Sequence, residues 1–219
     1  MKLQLTKKQV RRVARRTVEA LKANGYTCCL FGSAACSMIG GNDASRVPND
    51  LDIVVFTNDD LELIKKSLED KHDRFFLKDG KNGPYKVLWY SICWSPELNI
   101  KVDILKPGKD LLGIPRIPSN AISFYHCNIP VMPFLPLLIL KVQGWRDHRV
   151  SRKPWYRKKM PQDKGDIERL LSMVDDGDDL RNYMWLEKWF MKNANKLVKA
   201  YVCKFPESSE TWRSIGFDV

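Results

Sequence analysis

Apolar and polar residues alternate along two short segments of the chain, and this alternation predicts β-strands. In residues 49–56 the apolar side chains alternate with Asp50 and Asp52, and in residues 100–105 Asp103 has an apolar neighbour on each side. Side chains along a strand point alternately to its two faces. Asp50 and Asp52 are therefore expected on one face of their strand, with the apolar side chains on the other face.

The rest of the pattern predicts a mixed α/β first half and an all-helical second half, divided near residue 132. We expect loops and one or two short edge strands over residues 107–133. The predicted fold class is α+β, a mixed β-sheet with flanking helices in domain 1–132 and a helical domain in 133–219. Helices are predicted at about 6–24, 34–39, 58–71, 133–145, 162–174, 179–192 and 194–204, and strands at 27–31, 51–56, 74–78, 85–93 and 100–105.

The start of the chain is strongly basic. The first 22 residues hold eight Lys or Arg and a single Glu, which is a composition that mitochondrial transit peptides share. The apolar residues there fall at helical spacing, however, and form one stripe: Val10, Val13, Ala14, Thr17, Val18 and Leu21. This stripe favours an amphipathic helix that docks on the fold over a cleaved presequence.

Composition narrows the class of protein only in part. A formal net charge of +11 indicates attraction to anions such as nucleotides, RNA or acidic surfaces, although a basic surface also serves solubility. No apolar run reaches the roughly 20 residues of a membrane span, so we expect no membrane partner. The six cysteines show no C-x-x-C spacing, which favours a reduced intracellular compartment, cytoplasmic or nuclear, and a zinc site is not expected.

Three carboxylates on two predicted strands indicate a cation site. Asp50 and Asp52 repel each other unless a cation lies between them, and Asp103 would complete an oxygen cage suited to Mg²⁺ or Mn²⁺. The alternative for the first two is a solvated strand face at a sheet edge. The alternative for Asp103 is a simple ion pair with Lys101.

Four further residues are candidates for binding phosphate. Gly32 and Ser33 follow a strand and open a helix, where free backbone N–H groups attract phosphate, although Ser33 could simply be the N-cap. Arg46 lies four residues before Asp50 and can reach a phosphate or brace the loop. Lys141 follows an apolar run and can reach a triphosphate, or can snorkel from its helix.

A basic segment with aromatic residues lies in the helical half. Residues 146–164 carry eight Lys or Arg against two Asp, with Trp155 and Tyr156 among them. Phosphate attraction combined with aromatic stacking predicts a nucleic-acid or acceptor contact. A solvated loop explains the same composition nearly as well.

The order of these motifs resembles the nucleotidyltransferase superfamily related to DNA polymerase β. That family has a hydrophobic-Gly-Ser turn, an Asp-x-Asp strand and a distant third carboxylate between hydrophobic residues. The matching residues are Leu30-Phe31-Gly32-Ser33, Asp50-Leu51-Asp52-Ile53 and Val102-Asp103-Ile104. The segments 32–35 and 46–52 are most similar to the minimal, antitoxin-partner-type and antibiotic-type branches, and Lys141 and residues 163–167 look like their C-terminal helices. The 17 positions from Ser33 to Asp50 make an unusually long spacer.

The resemblance implies an enzyme that moves a nucleoside monophosphate from a nucleoside triphosphate to an acceptor hydroxyl. It implies that Asp50, Asp52 and Asp103 bind Mg²⁺ or Mn²⁺ and act in catalysis, with Asp103 also a candidate to take the hydroxyl proton. Gly32, Ser33, Arg46 and Lys141 would contact the triphosphate. The acceptor could be the end of an RNA or tRNA, a small molecule or a protein, and the oligomeric state is left open. The alternative is an inactive member of the fold that binds nucleotide or RNA.

Overall fold

A computed structural model of the chain describes residues 5–40, 46–81, 83–93, 98–110, 112–126, 128–175 and 177–219. The chain divides into two compact units: residues 1–107 with 122–132, and residues 108–121 with 133–219. The domains 1–132 and 133–219 expected from the sequence stay a prediction. The compact units differ from them in placing residues 108–121 with the helical part.

Over its described residues, the first unit contains a mixed sheet and three helices. Along the chain its elements are α1 (Lys7–Ala23), β1 (Cys28–Phe31), α2 (Gly32–Ile39), β2 (Asp50–Val55), α3 (Leu61–Lys71), β3 (Phe75–Asp79), β4 (Lys86–Ser91), β5 (Asn99–Leu105), β6 (Ser123–Tyr125) and β7 (Ile129–Val131).

The described strands form one seven-stranded sheet in the order β3-β4-β5-β2-β1-β7-β6. The pairs β2–β5 and β1–β7 are parallel, whereas β1–β2, β3–β4, β4–β5 and β6–β7 are antiparallel. The mixed α+β class predicted from the sequence is confirmed. The expectation of edge strands between 107 and 133 holds for β6 only, because β7 lies inside the sheet between β1 and β6.

Burial alternates from Asp50 to Ile53 on β2 and along all of β5, as their sequences predict. Leu51 and Ile53 on β2 and Val102 and Ile104 on β5 are buried, whereas the residues between them are half-buried. The paired apolar side chains form part of the core on one side of the sheet. The acidic side chains of both strands consequently share the opposite face.

Helix α1 forms because its sequence combines a cap with one apolar stripe. Thr6 and Gln9 make a reciprocal capping box at its N-terminus. The six residues of the predicted stripe are all buried, while the Lys and Arg residues lie between them along the helix. The predicted docked helix is therefore present, with bounds within one residue of those expected at each end.

The second unit is helical and is organised around α4 (Phe134–Val150). Nine residues of α4 are buried, and this burial explains the long apolar run that precedes Lys141 in the sequence. Aromatic side chains pack behind it, with Trp145 against Tyr201 at 5.1 Å between ring centroids. The remaining helices are α5 (Pro154–Arg157), α6 (Met160–Leu171), α7 (Lys188–Lys204) and α8 (Ser209–Ile215), with short 3-10 helices at 119–121, 180–183 and 206–208.

Two helices differ from the prediction. The expected helices at 179–192 and 194–204 are replaced by a 3-10 turn at 180–183 and the single helix α7. Asp179 caps that turn by accepting from the backbone N–H of Arg181, and α7 continues through 193–194 because its buried stripe is unbroken there. The basic segment 146–164 is also mostly helical, since Pro154 and Pro161 each stand in the first turn of a helix.

None of the described helices combines the length and the apolar character that crossing a membrane requires.

Candidate functional site

Four charged residues occupy one face of the sheet where β2 and β5 run side by side. The parallel register pairs Asp50 with Lys101 and Asp52 with Asp103. Because neighbouring strands lie about 4.8 Å apart, this register makes the second pair of carboxylates close neighbours. The structure thus brings together the three aspartates that the sequence singled out, and it adds a lysine among them.

Lys101 neutralises part of this negative charge. Its ammonium donates a hydrogen bond to Asp103 Oδ2 at 2.7 Å, so the ion pair considered as an alternative for Asp103 is present. Burial by itself lowers the pKa of Lys101. The hydrogen bond to Asp103 and the charges of Asp103, Asp50 and Asp52 oppose burial, and the net pKa of Lys101 is raised. The ammonium therefore lies in the field of all three carboxylates.

Gly32 lies directly against Asp52. It has φ +63°, a conformation that favours glycine, and a Cβ at this position would overlap Asp52 Oδ2 and stand 3.3 Å from its Cγ. The approach follows from the sheet, because Phe31 pairs with Asp52 between β1 and β2. The Gly-Ser turn and the Asp-x-Asp strand, read separately from the sequence, are thus parts of one site.

Ser33 and Arg46 are joined to the same turn. Arg46 donates a hydrogen bond from a guanidinium nitrogen to Ser33 Oγ at 2.6 Å. The N-cap of α2 is Phe31, which makes no side-chain capping bond, so the N-cap role considered for Ser33 is wrong. Arg46 braces the Gly-Ser turn across the long spacer, of which residues 41–45 lie outside the described residues.

The donor chemistry of the three aspartates fits a hard cation, but their arrangement is not a closed cage. Among the described residues, no group of three or more His, Cys, Asp or Glu side chains is gathered tightly enough to hold a metal. Carboxylate oxygens are the ligands that Mg²⁺ takes in proteins. The half-buried positions of Asp50, Asp52 and Asp103 on one face suit such binding, provided that the ammonium of Lys101 leaves Asp103.

Lys141 belongs to the second unit and is held by an ion pair. Its ammonium donates to Asp166 Oδ2 at 2.8 Å, and only 10% and 6% of the two side chains are exposed. Lys141 therefore does not snorkel, and its contact with a triphosphate stays a prediction. The pairing of Lys141 with Asp166 was not predicted from the sequence. Asp163 in the same segment bonds to His148, so two carboxylates of α6 fasten it to α4.

The fold is that of nucleotidyltransferase-like proteins. The crystal structure of an antigenic nucleotidyltransferase-like protein from Paracoccidioides brasiliensis matches over 96% of this chain and 94% of that one, with a TM-score of 0.68 and 12% sequence identity. The resemblance proposed from the motifs is thereby confirmed at the level of the fold.

A second similar protein is ANT(2")-Ia. Its crystal structure in complex with adenylyl-2"-tobramycin matches over 89% of this chain and 99% of that one, with a TM-score of 0.47 and 9% identity. Its solution structure gives 95% and 99%, a TM-score of 0.49 and 10% identity. Because both of these similarities are weak, the fold assignment rests on the first structure. No family model and no curated protein matches the sequence.

Proposed function

We propose that this chain is a nucleotidyltransferase, an enzyme that moves a nucleoside monophosphate from a nucleoside triphosphate to an acceptor hydroxyl. The observation that carries the proposal is the register of β2 against β5, which sets Asp52 beside Asp103 while Gly32 abuts Asp52. Carboxylates on adjacent strands, approached by a Gly-Ser turn, supply a place for metal ions and a place for phosphate in one site.

The residues of the site divide between two tasks. Asp50, Asp52 and Asp103 would hold Mg²⁺ or Mn²⁺. When bound, the metal would neutralise charge on the phosphates and align the attacking and leaving oxygens. The turn at Gly32 and Ser33 opens α2, and the backbone N–H groups and dipole at the start of a helix favour a phosphate. Arg46 adds a positive charge to this turn.

The reaction forms a bond between the acceptor oxygen and the α-phosphorus, and it breaks the bond from that phosphorus to the oxygen that bridges to the β-phosphate. Pyrophosphate leaves with the electron pair of the broken bond. The hydroxyl proton passes to a carboxylate, for which Asp103 is our candidate. Lys101 donates to Oδ2 of Asp103, so Oδ1 is the oxygen that would take the proton.

The proposed chemistry requires an acceptor with a hydroxyl group and specifies nothing further about the acceptor. The end of an RNA or tRNA, a small molecule and a protein side chain all supply one. The net charge of +11 supports an anionic acceptor and hence RNA. The alternative function is an inactive member of the fold that binds nucleotide or RNA, although such a protein has no need to keep three carboxylates together.

The test is replacement of the paired aspartates by their uncharged isosteres. In Asp50→Asn/Asp52→Asn we expect loss of transfer of labelled nucleotide and loss of Mg²⁺-dependent triphosphate binding. The assay incubates the protein with each labelled triphosphate, Mg²⁺ or Mn²⁺, and total cellular RNA or metabolites, so that a labelled product reveals both substrates.

The matched control is Asp79→Asn. This exposed strand carboxylate on β3 pairs only with the surface Lys86 among the ion pairs of the described residues, and its loss should leave both readouts unchanged. Transfer that survives in Asp50→Asn/Asp52→Asn would overturn the enzymatic proposal. Absence of transfer by the wild type, together with triphosphate binding that the double substitution abolishes, would favour the inactive binding protein.

A further inference from the structure

The basic segment, residues 146–164, presents an aromatic surface to solvent. Every residue from 152 to 159 is exposed, including Trp155 at 61% and Tyr156 at 36%. Tyr and Trp are enriched at contact surfaces, because each combines a large apolar ring with a polar group. The surface is formed by the end of α4, the short helix α5 and the start of α6.

The cations of the basic segment exceed its anions, and the anions are already engaged. Eight Lys or Arg stand against two Asp. Asp147 accepts from Arg146 at 2.7 Å, and Asp163 is bonded to His148. The segment therefore leaves an excess of positive charge at its surface, where an anionic partner gains from it.

Two lysines of the basic segment lie near the rings of Trp155 and Tyr156. Lys153 Nζ lies 5.9 Å from the centroid of Trp155 and 5.8 Å from that of Tyr156, and Lys159 Nζ lies 5.5 Å from the Tyr156 ring. His148 stacks on Tyr156 at 5.4 Å with an interplanar angle of 18°. Tyr156 is thus packed against His148 within the unit, while the exposed ring of Trp155 lies near one ammonium group, that of Lys153.

We propose that the basic segment binds single-stranded nucleic acid, with a base stacked on Trp155 and flanking phosphates at Lys153 and Lys159. Exposed rings favour a single strand over a duplex, because the bases of a duplex are stacked on one another. A lipid surface fits less well, since residues 151–159 contain no Leu, Ile, Val, Phe or Met to enter a bilayer and α5 has only four residues. This binding does not depend on the proposed transfer reaction.

The test is binding of the full chain to a fluorescent single-stranded RNA, followed by anisotropy in EDTA without triphosphate. Loss of one stacked base should weaken binding of Trp155→Ala by about 5- to 150-fold. The double substitution Lys153→Gln/Lys159→Gln should lower the slope of log affinity against log salt by about 1.4, since each phosphate contact on a single strand contributes about 0.7.

Matched controls exist elsewhere in the chain. Phe124→Ala removes an exposed ring, 53% accessible, that also has a lysine, Lys22, at 5.7 Å. Lys8→Gln/Arg15→Gln removes the same charge from the exposed face of α1. Both controls should bind as the wild type does. The binding assay contains neither metal nor triphosphate, so failure of the proposed transfer leaves this proposal standing.

Three results would overturn the proposal. The first is an affinity of Trp155→Ala equal to that of Phe124→Ala. The second is a duplex of the same sequence that binds as tightly as the single strand. The third is Trp155-dependent binding to anionic phosphatidylserine vesicles without binding to RNA, which would identify a membrane surface instead. Because Trp155 is exposed, its replacement should leave the circular dichroism spectrum and the melting temperature unchanged, and this is checked first.

Discussion

Replacement of Gly32 by alanine tests the contact that joins the two motifs of the candidate site. The methyl group that this substitution adds is unfavourable for two reasons. The backbone has φ +63°, and the new Cβ would overlap Asp52 Oδ2. Either Asp52 turns away from its present position or the turn moves, and both changes alter the site that we propose for metal and phosphate.

Gly32→Ala should affect the protein in two separable ways, through the backbone conformation and through the position of Asp52. A left-handed backbone conformation costs about 1–2 kcal/mol for a residue with a Cβ. In a protein of this size, 1 kcal/mol lowers the melting temperature by about 2–4 °C, so this part alone predicts a loss of about 2–8 °C. The second part is displacement of the Asp52 carboxylate, and a displacement of about 1 Å at a reacting centre can lower kcat by about 100-fold.

Gly25→Ala isolates the first part. Gly25 has φ +81°, but nothing lies within 4 Å of a Cβ built on it. We expect Gly25→Ala to lower the melting temperature by the backbone cost alone and to leave nucleotide transfer intact. Gly32→Ala should lower the melting temperature further and should also reduce transfer.

A double-mutant cycle isolates the second part. In an Asp52→Ala background the atom nearest to the added methyl would be the Cβ of residue 52 at 3.6 Å, which is an ordinary contact. Gly32→Ala should there cost no more stability than Gly25→Ala. The reasoning is refuted if Gly32→Ala leaves transfer unchanged, or if its stability cost is the same with and without the Asp52 carboxylate.

Two further predictions concern the lysines. Lys101→Met removes the ammonium that competes with a cation for Asp103. The affinity for Mn²⁺, measured by electron paramagnetic resonance, should therefore increase by up to about fivefold, which is the value of a partly exposed ion pair. Unchanged affinity would show that Lys101 does not compete. Lys141→Met leaves Asp166 buried without its lysine but with Arg169 at 3.7 Å, so it should lower the free energy of unfolding in urea by up to about 3–5 kcal/mol, whereas Lys141→Met/Asp166→Leu should regain most of it. Equal losses in the single and double variants would contradict this account of the buried pair.

The predicted strands are present in the structure because the alternation of apolar and polar side chains is a local property of the sequence. The face shared by Asp50 and Asp52 needs no knowledge of distant residues, and the apolar neighbours of Asp103 define its strand equally well. The stripe of α1 is local in the same sense. These elements carried the prediction of the fold and of the three carboxylates.

The contacts that refine the site are not local. The hydrogen bonds from Arg46 to Ser33 and from Lys141 to Asp166 span 13 and 25 positions of the sequence. For this reason the sequence alone could not decide between the alternative roles of Arg46 and Lys141. The insertion of β7 beside β1 depends on a single long-range pairing, Leu30 with Val131. The segment 179–192 was mispredicted, since the chain forms a 3-10 turn at Leu180–Tyr183 and the helix α7 begins only at Lys188.

The parallel register of β2 and β5 also makes the site a reporter of correct folding. Asp50 and Asp103 are far apart along the chain, and a slip of β5 by one residue would turn Lys101 and Asp103 into the apolar core and Val102 and Ile104 out of it. Such a slip is costly, so misaligned but stable forms are suppressed. Selection for a stable sheet and selection for an assembled carboxylate cluster therefore act on the same pairing, and a chain that folds at all carries its four charged side chains in alignment.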